Sequence, residues 1–396
     1  MIVGAGFGGL WAAKELAKAP GVEVVLVDKN NYHTFVPLLY QVAAAELEPD
    51  QIAYPVRSIF RRRKNVRFLL GEVEAIDFEA REAVVGGDRL PYDYLILAAG
   101  SVTNHFGIES VAERAYGMKD LIEAIELRSR LLYLCEAAAK ERDPGRRRAL
   151  LTFIVVGGGP TGVEFAATLA ELVWCVLVKD FPEVDFGEAG VILVEAADRL
   201  LPAMPPAFGD YALRALRRKG VDVRLGTLVK GAAEDGVVLG DGELVPAGAL
   251  IWTAGVRAAP LADAIGAPQG RGGRVVVTPY LNLERHPEVF VVGDMAYVVD
   301  EKGNPVPQVA PAAVQQGRTA ARNIVRSVEG KPLVPFVYDD PGAMVTVGRN
   351  AGVARIRGRT LRGFGAWAAW LLVHLIKLIG FRNRLFVLTN CAWNYI

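Results

Sequence analysis

Seven short runs of nearly unbroken apolar residues punctuate this chain: Met1–Val3, Val22–Val27, Tyr94–Ala99, Leu150–Val156, Val191–Val194, Leu250–Trp252 and Val289–Val292. Each is too short for an ordinary helix and lacks the polar alternation of a half-exposed strand. Each therefore predicts a strand covered on both faces, as in a parallel sheet. Two runs, Met1–Val3 and Leu150–Val156, lead into glycine clusters and then into alanine-rich amphipathic stretches, an order that predicts strand, tight turn and helix. The first offers little length before its turn, so further residues are expected ahead of Met1. Leu250–Gly255 repeats the apolar-run-to-glycine pattern of Leu95–Gly100, and the chain reads as duplicated in architecture.

The glycine clusters carry the chemistry. Gly4-Ala5-Gly6-Phe7-Gly8-Gly9 and Gly157-Gly158-Gly159-Pro160-Thr161-Gly162 both fit G-x-G-x-x-G. In this setting the first glycine permits the tight turn, the second lets backbone approach a pyrophosphate, and the third lets helix pack on strand. The N–H groups opening the helix then face the phosphates. Each cluster is answered by an acid at the end of the next apolar run: Asp28, 19 residues past Gly9, and Glu195, 33 residues past Gly162. A carboxylate there accepts hydrogen bonds from a ribose diol. An ordinary strand-to-helix turn would account for one cluster, less readily for two with matching acids. The expected fold is α/β, with two Rossmann-like dinucleotide-binding domains, one inserted in the other. Residues 1–105 and 263–330 form the first, 106–262 the second, and 331–396 a C-terminal amphipathic segment.

Composition narrows the classes. A chain of 396 residues has room for two or three domains, and 52% hydrophobic residues with mean hydropathy +0.25 is apolar for a soluble enzyme. No stretch reaches the roughly 18 uncharged apolar residues of a spanning helix. A net charge of +1 offers no global field for nucleic acid. Cys135, Cys175 and Cys391 stand alone, which argues against a flavin-linked disulfide and against zinc. Four scattered histidines have no ligand spacing, so no metal is expected. Arg57–Arg67 reads as a solvated helix end and turn, and Glu141–Arg148 as a surface loop.

Further motifs are more specific than the glycines. They are the segment from Asp28 to Gln41 (DKNNYHTFVPLLYQ), Gly162-Val-Glu164-Phe-Ala, Ala310-Pro-Ala-Ala-Val-Gln315-Gln316-Gly317, and Phe336-x-Tyr338 with Gly348-Arg349. Through them essentially the whole chain resembles the two-dinucleotide flavoprotein oxidoreductases and, within that superfamily, the type II (single-subunit, non-proton-pumping) NADH:quinone oxidoreductases. The resemblance implies FAD at Gly4, Gly6, Phe7, Gly8, Gly9, Asp28 and Lys29. Pro37, Leu38, Val73, Ala99, Gly100, Gly293, Asp294 and Ala310 complete that site. It implies NADH at Gly157, Gly159, Pro160, Thr161, Gly162, Glu195, Ala254 and Gly255. The family often carries Ala-Gln-x-Ala-x-Gln near the quinone. Here Pro311 takes the first glutamine position, so Gln315 is carried over, with Gln316 as its neighbour.

The implied reaction passes a hydride from NADH to the flavin and two electrons with protons to a quinone, so the protein supplies position and electrostatics. Glu164, one turn into the second fingerprint helix, is expected near nicotinamide and flavin, anchoring the carboxamide or relaying protons. A carboxylate compensating the helix dipole is the alternative. Gln315 is expected at a quinone carbonyl, with an amide bonded to backbone as the alternative. Glu195 repels a 2′-phosphate and favours NADH over NADPH, while Arg199 nearby softens that preference. Tyr32 and His33 are expected to pack beside FAD.

Ala366–Phe381 places Trp370, His374 and Lys377 at i, i+4 and i+7, with Trp, Leu, Ile and Ala around most of the remaining circumference. Arg382 and Arg384 follow, and Trp393 and Tyr395 stand near the end. This suits a helix lying in the headgroup region of a lipid bilayer, with a core or dimer helix burying the same face as the alternative. The expected protein is a peripheral enzyme on the cytoplasmic side of the cell membrane, a homodimer reducing menaquinone or ubiquinone. A sulfide:quinone oxidoreductase-like flavoprotein and a non-catalytic redox sensor are the rivals. The former calls for cysteines poised at the flavin.

Overall fold

The computed structural model describes residues 1–393, and the chain divides into two compact units, each assembled from three stretches of sequence. The first comprises Met1–Thr34, Ala53–Val102 and Val256–Pro341; the second comprises Phe35–Ile52, Thr103–Gly255 and the chain from Gly342.

In the first unit five parallel strands stand in the order Val289–Val291, Leu95–Leu97, Ile2–Val3, Val24–Asp28 and Val66–Leu70. Ile2 pairs with Leu26 on one side and with Ile96 on the other, so the central strand is hydrogen-bonded along both edges. Leu26, Val27, Ile96, Leu97, Phe290 and Val291 are fully buried, as the unbroken apolar runs require. The first fingerprint helix, Phe7–Leu16, buries Leu10, Ala12, Ala13 and Leu16, and a late helix, Ala310–Val328, packs along it. Gly317 permits that approach, because a Cβ there would overlap the carbonyl oxygen of Gly8.

The second unit repeats the plan. Its parallel strands run Ala249–Trp252, Thr152–Val156, Gly190–Val194 and Asp222–Arg224, again with the strand before the glycine turn inside and its successors outward on one side. In both units a three-stranded antiparallel sheet separates the third strand in sequence from the fourth: Val73–Asp77, Glu82–Val85 and Asp88–Pro91 in one, Val229–Ala232, Gly236–Leu239 and Leu244–Pro246 in the other. The second unit adds a C-terminal hairpin sheet, Gly342–Thr346, Gly352–Ile356 and Arg359–Arg362, followed by the helices Phe364–Lys377 and Phe381–Trp393.

Three details differ from the sequence reading. The compact units exchange more chain than the boundaries 105, 262 and 330 allow: residues 256–262 fall in the first unit, and 35–52 join the second with the C-terminal segment. Within 141–148, the stretch from Pro144 is helical, not loop. Asp143 caps a helix Pro144–Leu150 by accepting the Arg146 N–H at 2.8 Å, with proline in the first turn, where no N–H is needed. The helix Pro160–Glu171 continues through a π-helical turn, Leu172–Leu177, so that Pro160–Asp180 is long and apolar enough to cross a membrane; most of it is instead buried as the core helix of its unit. Residues 394–396, including Tyr395, lie outside the described residues.

Candidate functional site

Each fingerprint forms a cradle, and the two cradles match in detail. In the first, Gly4 has φ +99°, and a Cβ on it would overlap the carbonyl of Ala98; a Cβ on Gly9 would overlap that of Gly4. Gly6 differs. Nothing stands within 4 Å of the place its Cβ would take, and it caps the helix Phe7–Leu16 with no side-chain cap hydrogen bond. The second cradle repeats this with Gly157 (φ +111°) against Ala254, Gly162 against the Gly157 carbonyl, and Gly159 open at an uncapped helix start, beside exposed Pro160 and Thr161. Open space over a helix N-terminus that no side chain caps fits a pyrophosphate. Both cradles therefore fit a dinucleotide.

The acids match as well. Asp28 accepts from Ala5 N–H at 2.6 Å and from Asn30 N–H at 2.7 Å. Glu195 accepts from Gly158 N–H and, at 2.7 Å, from Ala197 N–H. In each case one carboxylate oxygen holds the residue after the first glycine and the other turns the chain beyond the strand. Burial pushes the Asp28 carboxyl up from its ordinary value, opposed by those two backbone donors.

Around the first cradle, His33 is buried, bonded through Nδ1 to the Ala5 carbonyl at 2.9 Å and meeting the Phe7 ring edge-on at 5.1 Å. Burial holds its pKa down at about 4, so the ring is neutral. Val73 is buried at the start of its strand, Ala99 and Gly100 follow the strand Leu95–Leu97, and Lys29 follows Asp28. Asp294 follows Gly293 (φ +74°) and bonds the Ser101 hydroxyl, while Ala310 opens the late helix. Pro37 and Leu38 belong to the second unit. There Gly255 stands 3.1 Å, by its missing Cβ, from the Phe106 ring, and Ala254 backs Gly157.

The two glutamines part company. Gln316 is buried and its Oε1 accepts from the Gly293 N–H at 2.6 Å, fixing the turn that carries Asp294. Gln315 instead bonds both backbone groups of Asp339, at 2.8 and 3.0 Å, so its amide is engaged with backbone.

Glu164 occupies an apolar niche of the second unit. Its Oε1 accepts from the Thr346 N–H at 3.3 Å, and its carboxyl also takes a side-chain hydrogen bond from Trp370. Thr346 Oγ1 meets Tyr40 Oη at 3.0 Å. Burial pushes the Glu164 carboxyl up to about 8, leaving it mostly protonated at neutral pH. Two turns further along the helix Glu171 accepts from Lys219 Nζ at 2.5 Å and from Arg349 N–H at 2.8 Å. Gly348 stands beside it at φ +73°, a left-handed conformation that favours glycine. Arg349 also reaches Glu46 at 3.9 Å, whose carboxyl burial and the charge of Glu171 push up to about 7. Neither Tyr40, Thr346 nor this acid pair was singled out from sequence as chemistry. Only the motifs around Gln41 and Gly348-Arg349 pointed to the segments that hold them.

The family model described as pyridine nucleotide-disulphide oxidoreductase matches residues 1–317, a span containing both cradles. That is the class this fold and its paired cradles define. Among similar proteins, the type II NADH:quinone oxidoreductase NdhA of Mycobacterium tuberculosis is 41% identical over 410 residues, 99% of this chain and 86% of its own. The Staphylococcus aureus type II NADH:quinone oxidoreductase is 31% identical over 372 residues, 92% and 90% of the two chains. The solved structure of NDH2 from Plasmodium falciparum in complex with NADH superposes with a TM-score of 0.90 at 19% identity, over 98% of this chain and 96% of that one, a likeness of fold. The chain belongs to the type II NADH:quinone oxidoreductase family.

Proposed function

We propose that the protein is a single-subunit flavoenzyme that oxidises NADH and reduces a membrane quinone without pumping protons. The observation that carries the reading is the pair of matched cradles, each open at its middle glycine and each backed by an acid bonded in the same way. FAD is assigned to the first, on Gly4, Gly6, Phe7, Gly8, Gly9, Asp28 and the Gly293-Asp294 turn. NADH is assigned to the second, on Gly157, Gly159, Pro160, Thr161, Gly162 and Glu195. The chemistry a bound flavin supplies is two-electron transfer between donor and quinone. The chain's part is to hold and orient. Gln316 keeps the Gly293 turn in place, Asp28 and Glu195 keep the glycine turns closed, and Glu164 holds a proton on its carboxyl in a water-poor niche for a quinone oxygen. With both its amide atoms engaged by Asp339, Gln315 serves that turn before it serves a quinone.

The membrane reading rests on the C-terminal helices. Phe364, Leu372, Ile376, Phe381 and Leu385 are exposed, Phe381 to 81%, and Arg382 and Arg384 flank them. From residue 341 onward the chain has eight Lys or Arg and no Asp or Glu. Apolar side chains on a purely cationic background suit the surface of an anionic, cytoplasmic leaflet, and a homodimer would present two such anchors. The decisive experiment is anaerobic. NADH should bleach the flavin of the purified protein, and a menaquinone or ubiquinone analogue should restore it rapidly. Bleaching by sulfide but not by NADH would replace this reading with the sulfide:quinone one.

A further inference from the structure

A cationic cavity of about 330 Å³ opens in the first unit, between the helix Phe7–Leu16, the short helix Val56–Phe60 and the helix Ala310–Val328. Nothing in the proposed chemistry uses it. Lys14, Lys18, Arg63 and Arg318 line it against a single carboxylate, Glu15, so four positive charges meet one negative. Glu15 is already engaged, by Lys18 at 2.7 Å and by Arg322 at 3.7 Å. Among the described residues no carboxylate stands within ion-pair distance of Lys14, Arg63 or Arg318. Arg63 belongs to the exposed run Arg61-Arg62-Arg63-Lys64.

The fold imposes this crowding. Gly317 lets its helix close on the Gly8 backbone, which brings the next residue, Arg318, into the electrostatic reach of Lys14. Lys14 is itself half-buried, its ammonium 4.2 Å from the Trp11 ring centroid, with Phe60 buried in the wall. Burial, and then the like charge of Arg318, hold its pKa below the ordinary lysine value. Cations on a merely solvated face spread apart to lessen repulsion; here they converge on a partly apolar recess. A multivalent oxyanion with several acceptor oxygens relieves that repulsion where one carboxylate could not, and Arg and Lys together suit phosphate.

We propose that this cavity binds a phosphoryl anion, carried either by a free phosphate compound or by the headgroup of an anionic lipid. The site is separate from both glycine cradles, so the test uses FAD-loaded protein saturated with NAD⁺. Isothermal titration with inorganic pyrophosphate, and separately with a monomeric short-chain phosphatidylglycerol, should show one saturable site. Lys14→Met and Arg318→Gln should each weaken it at least about ten-fold, the loss of one charge-assisted bond. Because Lys14 lies in the FAD helix, Arg63→Gln, outside that helix, is the control that must weaken binding with flavin content and melting temperature unchanged. Binding of pyrophosphate alone assigns the free compound, and binding of the lipid alone assigns the headgroup. Absence of saturable binding by either probe, or binding that all three variants retain, overturns the proposal.

Discussion

Replacing Glu164 by glutamine is the sharpest probe of the niche in the second unit. In the folded protein the carboxyl keeps its proton up to about pH 8, whereas the unfolded chain releases it at the ordinary value of 4.5. Between those values the unfolded state binds fewer protons than the folded one, so stability falls as pH rises. The full shift corresponds to roughly 5 kcal/mol. From about pH 5 to about pH 7.5 the loss is roughly 3 kcal/mol, because the unfolded state is partly ionised at the lower limit and the folded state partly at the upper. Glutamine keeps the shape and an acceptor for the Thr346 N–H, and carries no titrating proton. At about 2 °C per kcal/mol for a unit of this size, the melting temperature of Glu164→Gln should gain about 6 °C on the wild type over that interval. Scanning calorimetry or intrinsic fluorescence at matched ionic strength measures it. Parallel pH profiles for the two proteins would refute the buried-acid argument. Stopped-flow half-reactions then separate the two roles proposed for the residue. Slower quinone reduction with unchanged flavin bleaching by NADH assigns the proton, and the reverse pattern assigns the nicotinamide.

The other predictions concern the cradles and the C-terminal helices. Gly162→Ala puts a methyl into the Gly157 carbonyl and should cost several kcal/mol of stability; Gly159→Ala, with open space, should fold normally yet lose NADH affinity, as titration of the intact flavoprotein would reveal. Gln316→Leu strands the Gly293 N–H and should cost about 1–3 kcal/mol, read as FAD release on dilution and a lower melting temperature; unaltered flavin retention would remove Gln316 from the site. Leu372→Ser with Ile376→Ser should leave melting unchanged, since both side chains are exposed, while reducing flotation with phosphatidylglycerol vesicles. Undiminished flotation would mean that those side chains do not meet lipid.

What could be read from sequence, and what could not, follows from the range of the forces involved. The glycine turns and their acids are local devices. A strained φ, the overlap of a Cβ on Gly9 with Gly4 or on Gly162 with Gly157, and a carboxylate bonded to the residue after the first glycine arise between segments joined by one turn or one helix, so composition at fixed spacing declares them. The buried parallel strands were legible for the same reason, because an unbroken apolar run too short for a helix declares a strand covered on both faces. The adjacent glutamines were not. Neighbouring positions on a helix point about 100° apart, and nothing local says which one faces Gly293 and which faces Asp339. That is decided by how closely the late helix approaches Phe7–Leu16, which depends on Gly317 meeting Gly8.

Trp370 makes the same point more strongly. Its spacing with His374 and Lys377 suggested one polar stripe on a membrane helix, yet Trp370 is only 3% exposed, stacks on His374 at 4.2 Å and bonds Glu164. The outward face is formed instead by Phe364, Leu372 and Ile376. An amphipathic pattern identifies that a helix has two faces without saying what each one meets, and here both faces are largely apolar. One face closes the niche that keeps a carboxyl protonated, and the other is exposed. A single helix thereby ties the site to the bilayer reading: loss of the C-terminal helices should remove the proposed anchor and expose Glu164 together. Truncation would therefore confuse two effects that the outward substitutions Leu372→Ser and Ile376→Ser keep apart, so the serine variants, not a deletion, decide whether the proposed attachment and the proposed proton role of Glu164 are separable.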